Sequence, residues 1–233
     1  MTHTGDTGVS RLALLGDIHG NIAALDAVLD AVADHDLRHH GVCTGDIVLR
    51  GTEPEACVSR IALLDWPTVA GNTDRKVALR KPRPKGHPSA ARPGSRSWTR
   101  HRLSEESVAF LADAPLTTVT TVGPHRVLVM HGSPDDPTEA LFDPRTSTAA
   151  FRDLRRRFAE FDAVVTGHTH RQMARTVDGC LFVNPGSVGE APTPDALPRW
   201  AWLETGPSGL VAHLESVPHP LAPQRIPRGD RRS

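Results

Sequence analysis

The sequence predicts an α/β fold in which two packed sheets carry helices on their outer faces. Three observations predict it. Apolar segments of the first half alternate between short strand-like runs and helical spacing, a βαβ rhythm that calls for a mostly parallel sheet. Segments of the second half read mainly as hairpins. In both halves small polar residues follow the apolar runs directly, as they do where strand ends face a site.

Each element follows from its pattern. Leu12 to Leu15 is an apolar run closed by Gly16, hence a buried strand. Ile22, Leu25, Val28, Leu29 and Val32 recur at helical spacing over Ile22 to Ala33. Gly41 to Thr44 reads as a second strand, Glu53 to Leu64 as a helix, and Thr68 to Ala70 as a short third strand running into Gly71. Arg80 to Arg100 is rich in Pro, Arg, Gly and Ser and predicts a long, flexible basic insertion. Ser104 opens an amphipathic helix that ends near Pro115. Leu116 to Val122 and Arg126 to Met130 pair around Gly123 and Pro124. A helix over Thr146 to Ala159 precedes a strand at Ala163 to Thr166. Gln172 to Val177 and Cys180 to Asn184 flank Asp178-Gly179, a strong hairpin signal. Trp200 to Glu204 and Leu210 to Val217 pair through a turn at Gly206 to Gly209. One domain over 10–217 results, with a disordered Pro- and Arg-rich tail over 218–233.

Composition excludes several classes. Lys+Arg and Asp+Glu both number 27, so bulk charge points to neither nucleic acid nor membrane. The 3 cysteines form no CxxC pair and suit a reducing compartment. The first ten residues lack an apolar signal core, and no apolar run approaches the ~18 residues of a membrane helix. The expected location is cytoplasmic.

Five segments repeat one design, an apolar strand followed by small and metal-capable residues. They are Gly16-Asp17-Ile18-His19-Gly20-Asn21, Gly45-Asp46, Gly71-Asn72-Thr73-Asp74, His131-Gly132 and Gly167-His168-Thr169-His170. Asp and His at the ends of adjacent strands converge in space. Asp17 and His19, like His168 and His170, stand two apart, and in extended chain such pairs point to one side. Carboxylate, amide oxygen and imidazole suit first-row metals such as Mn, Fe, Co, Ni and Zn, and the absence of cysteine argues against a structural zinc site. Any one segment is an ordinary turn; five in order after strands are not explained as turns.

These segments resemble the calcineurin-like metallophosphoesterase signature, D-x-H, G-D, G-N-H-D, H and G-H-x-H, from Leu12 to about Glu204. Asn184-Pro185-Gly186-Ser187-Val188-Gly189 extends the resemblance to the small bacterial and archaeal YfcE-type phosphodiesterase branch. The resemblance implies a four-layer α/β/β/α sandwich of two mixed sheets. It implies two divalent ions, manganese first, with iron, nickel, cobalt, zinc or magnesium as alternatives. Asp17, His19, Asp46 and His170 resemble the ligands of one ion; Asp46, Asn72, His131 and His168 resemble those of the other, with Asp46 bridging. Asp46 and Asn72 are also expected to take part in catalysis. The implied activity is hydrolysis of phosphate esters, diesters or nucleotide-like substrates before monoesters, by a hydroxide activated between the ions.

Thr73 departs from the family pattern, which places a His there. A threonine hydroxyl is a poor general acid near neutral pH. If Thr73 is the catalytic position in place of that His, leaving groups needing little protonation are favoured. From Arg75 to Ser104 there are basic residues and no acidic ones, which suggests either a solvated insertion or an electropositive flap for a polyanionic substrate. Asp74 is expected to cap a turn or pair with Arg75. The expected partner is a small phosphorylated substrate, with no membrane and, for want of aromatics interleaved with base readers, no nucleic acid. Two other classes remain: a catalytically weak scaffold, and a metal-binding regulatory protein that contacts other proteins.

Overall fold

A computed structural model describes residues 10–192, 195–207 and 209–218. The predicted disordered tail therefore lies, from residue 219 on, outside the described residues. The strands are β1 (Arg11–Leu15), β2 (Gly41–Cys43), β3 (Thr117–Val122), β4 (His125–Met130), β5 (Ala163–Val165), β6 (Met173–Val177), β7 (Cys180–Asn184), β8 (Arg199–Gly206) and β9 (Gly209–Ser216). The helices are α1 (Ile22–Asp34), α2 (Pro54–Leu64), α3 (Asn72–Ala78), α4 (Pro88–Ala91), α5 (Arg96–Arg100), α6 (Glu105–Asp113) and α7 (Thr148–Arg157). Among the described residues no helix is long and apolar enough to cross a membrane.

Two mixed sheets form, in the orders β2-β1-β8-β9 and β3-β4-β5-β7-β6. Chain halves and sheets do not coincide as the sequence predicts. The closing hairpin β8-β9 returns to the first sheet, where β8 runs antiparallel to β1, with Leu12 opposite Leu203. The second sheet has a parallel centre, β4-β5-β7, between two antiparallel edges. Alternation within the apolar runs explains the layers. Leu12 and Leu14 of β1, Val127 and Val129 of β4, and Ala163 and Val165 of β5 fill the space between the sheets. Ala13 and Leu15 turn instead to α1 and α2, against Leu25, Val28, Cys57 and Ile61. Leu128, Met130 and Val164 turn to Phe151 of α7. Three apolar interfaces between four layers, two of helices and two of sheet, give the α/β/β/α sandwich.

Local chemistry sets the helix ends. Asn21 Oδ1 accepts from Ala24 N–H, Ser104 Oγ from Ser107 N–H and Ser147 Oγ from Ala150 N–H, so α1, α6 and α7 start behind side-chain caps. Pro54 occupies the first turn of α2, where its missing N–H costs nothing.

Three expectations need correction. The strand expected at Thr68 to Ala70 reduces to a single bridge between Cys43 and Thr68, because Ala70 N–H turns away to the Pro115 carbonyl. The metal motif at Asn72 itself opens α3, since the Asp74 carboxylate accepts Gly71 N–H at the helix start. The stretch 80–100, expected to be a long loop or partly disordered insertion, carries the short helices α4 and α5. His87 and Ser95 cap these short helices, Trp98 is buried, and the Arg102 guanidinium lies 3.7 Å over its ring. Gly94 carbonyl accepts Arg50 N–H, which ties the stretch to the loop after β2.

Candidate metal centre

The predicted ligands follow the C-terminal ends of β1, β2, β4 and β5, with Asn72 at the head of α3. Parallel strands of both sheets point to one rim, and their loops interlock there. Asp17 N–H donates to Gly45 O, Ile18 and His19 N–H both donate to Asp46 O, and Gly20 N–H donates to Ile47 O. The Asn184 to Gly189 loop fastens this assembly from the other side. Asn184 Nδ2 donates to Gly167 O at 2.7 Å, and Ser187 Oγ donates to Asp17 O at 2.8 Å. Gly189 N–H also reaches Asp17 O, and a Cβ at Gly189 would stand 1.9 Å from Ile18 O, so no larger residue fits.

The paired ligands do not converge through extended chain. Asp17, His19, Asp46, His168 and His170 all have left-handed backbone, with φ of 51°, 52°, 55°, 68° and 60°. Interlocking turns, rather than strand alternation, aim the side chains.

All seven predicted ligands meet. Asp17, His19 and His170 offer donor atoms within 4.8 Å of one another. His19 Nε2 lies 3.1 Å from His170 Nε2, and His170 Nε2 lies 3.2 Å from Asp17 Oδ1. On the other side His131 Nε2 lies 3.5 Å from Asp46 Oδ1 and 3.2 Å from Asn72 Oδ1, and His168 Nδ1 lies 2.9 Å from Asn72 Oδ1. Asp46 spans the two groups: Oδ2 lies 3.8 Å from His19 Nε2 while Oδ1 faces His131. Asp17, Asp46 and His131 also lie within 4.8 Å of one another, so Asp17 reaches both groups and not only the first, as the sequence resemblance places it.

The donor set fits divalent cations. His131 Nδ1–H donates to Thr44 O at 2.7 Å and His170 Nδ1–H to Glu190 O at 3.0 Å, which leaves Nε2 of each ring free to ligate. Asn72 Oδ1 then faces the ring nitrogens of His131 and His168, acceptors that repel unless a cation lies between them. Asp17 Oδ1 is buried without a hydrogen bond, a cost a cation removes. Electrostatics agree. Burial raises the carboxyls of Asp17 and Asp46, but the neighbouring histidines, His170 for Asp17 and His131 for Asp46, hold both below the ordinary carboxylate range. Burial drives His19 down to about 3. It also opposes charge on His131, yet Asp46 outweighs it and lifts that ring to about 9.

The Thr73 side chain does not face the predicted ligands. It is buried, its hydroxyl donates to Val48 O at 2.9 Å, and its N–H donates to Asp46 Oδ1 at 2.8 Å. Asp74 does not pair with Arg75. Its Oδ1 accepts from Ile47 and Val48 N–H and its Oδ2 from Gly71 N–H, so it stitches the loops that carry Asp46 and Asn72. Burial and the nearby Asp46 raise it to about 7. Sequence reasoning missed the carbonyls of Thr44 and Glu190 that orient the histidines, because backbone acceptors leave no residue signature.

Comparisons with known proteins give the family. The chain is 28% identical over 202 residues to uncharacterized protein MJ0912 of Methanocaldococcus jannaschii, covering 78% of this chain and 77% of that one. Among solved structures, the hypothetical protein PH1004 of Pyrococcus horikoshii superposes with a TM-score of 0.76 at 19% identity, covering 90% of this chain and 88% of that one. A metallophosphoesterase from Sphaerobacter thermophilus superposes with a TM-score of 0.69 at 25% identity, covering 91% and 89%. The calcineurin-like phosphoesterase superfamily domain matches residues 11–205, which include every predicted ligand, and the chain belongs to that superfamily.

Proposed function

We propose that the protein hydrolyses phosphate esters with two divalent ions, manganese in the first place, and prefers small diesters or nucleotide-like substrates to monoesters. The observation that carries this reading is Asp46, whose two carboxylate oxygens address two separate groups of ligands. A pair of ions bound there supplies Lewis acidity, an activated water and neutralisation of phosphate charge. The chain's own residues do the rest. Thr44 and Glu190 carbonyls fix the ring orientation of His131 and His170. Thr73 N–H holds Asp46 in place. Half-buried His168 and His170 form the side open to substrate, while Asp17, His19 and His131 form the buried floor.

The commitment of the Thr73 hydroxyl to Val48 supports the preference for leaving groups that depart without a proton, such as aryl or phosphate groups. The same observation is what favours the second reading, a catalytically weak scaffold or regulatory protein. The three unpaired cysteines support a reducing compartment and hence a cytoplasmic location.

Manganese-dependent hydrolysis of bis-p-nitrophenyl phosphate, set against the monoester and with Asp46→Asn as control, tests the reading. Diester turnover that disappears in the control supports it. No turnover with any of the metals leaves the scaffold.

A further inference from the structure

Lys76 lies one helical turn beyond Asn72 on α3, so the two side chains share a face of the helix. The Asn72 amide has two ends. One faces the ring nitrogens of His131 and His168; the other lies 3.0 Å from Lys76 Nζ. Only one orientation suits a cation between Asn72 and the rings, with the amide oxygen toward them. In that orientation the amide NH2 faces the ammonium, and two donors stand 3.0 Å apart with no acceptor between them. Among the described residues no carboxylate pairs with Lys76 to satisfy it. A half-buried ammonium at the edge of the ligand cluster is thus left facing a donor whenever the ligands are set for metal. Its long stem lets it turn to an anion arriving over the cluster.

We propose that Lys76 is a phosphate-binding residue of this site, which donates to a nonbridging oxygen of the bound ester. The inference rests on the pocket being a phosphate-ester site. The contribution is a fixed positive charge and a hydrogen bond, not a proton transfer, and it lies beside a position, Thr73, that offers substrate neither.

Inorganic phosphate is the probe. Its binding to the manganese-loaded protein, measured by titration calorimetry, is compared in wild type, Lys76→Met and Lys76→Arg, with manganese binding measured in each. The expected result is phosphate binding weakened about tenfold in Lys76→Met and largely restored in Lys76→Arg, with manganese binding unchanged in both. Unchanged phosphate binding in Lys76→Met overturns the inference. So does loss of manganese along with phosphate, because Lys76 would then act only through the metal ligands, and so does wild-type protein without affinity for phosphate. Failure of the hydrolase reading looks different: wild-type protein that binds manganese and phosphate but turns over no ester removes that reading and leaves the Lys76 contact standing.

Discussion

Thr73 holds Asp46 by its backbone and not by its side chain: the amide N–H donates to Asp46 Oδ1 at 2.8 Å, while the hydroxyl is spent on the Val48 carbonyl at 2.9 Å. Thr73→Val keeps the first contact and removes the second. Leaving the buried carbonyl unsatisfied costs about 1–3 kcal/mol of stability. Activity per folded molecule should stay near wild type. A variant with normal metal content and a large loss of turnover would show that the hydroxyl acts on substrate after all.

Gly71 contributes no ligand, yet a Cβ there would stand 2.1 Å from Asp46 N and 2.2 Å from Asp46 Oδ1. Gly71→Ala must therefore push the carboxylate out of line. The expected effect is manganese affinity lowered about 10–100-fold, as for other residues that orient ligands. Equilibrium dialysis of folded protein measures it, and wild-type affinity would mean that the loop yields elsewhere.

Asp74 accepts three backbone N–H groups from two ligand loops. Asp74→Ala orphans all three in a buried setting, at a cost of about 3 kcal/mol or more. For a domain of this size that lowers Tm by about 6–12 °C. Calorimetry in chelator separates this loss from any change in metal binding. A shift of a degree or less would contradict the stitching role.

Burial pushes the Cys180 thiol up to about 11 and raises Cys43 and Cys57 further still. Thiolates attack disulfide reagents and thiols do not. At pH 8 Ellman's reagent should find no reactive group in the folded protein and three after denaturation. A rapid phase in the native protein would place at least one thiol outside the core.

Much of this architecture was legible because its signals are local. Leu25, Val28 and Val32 announce α1, Asp178-Gly179 announces the hairpin of β6 and β7, and four of the five predicted ligand motifs closely follow a strand that could be read as apolar. What stayed hidden depends on long-range pairing or on pieces too short for a period. No residue in Trp200 to Glu204 tells that β8 will pair with β1 as well as with its hairpin partner β9. The helices α4 and α5 are each about one turn long, and the burial of Trp98 that anchors them is a tertiary fact. Asp17 and His19 were legible as a pair, but their left-handed backbone comes from hydrogen bonds to the Asp46 loop, which spacing along the chain does not encode.

That backbone has a practical consequence. Five non-glycine ligand residues hold positive φ, each at a cost of about 1 kcal/mol. Together this rivals the net stability of an ordinary domain, about 5–15 kcal/mol. Ions that bind only the folded arrangement offset the strain by mass action, by about 2.7 kcal/mol at a hundredfold excess over Kd. A melting curve of this protein should therefore act as an occupancy gauge. Chelator-treated samples melt lowest, and stepwise additions of manganese raise the transition until the pocket is full. A transition unmoved by chelator or manganese would mean that the loops hold their shape without help.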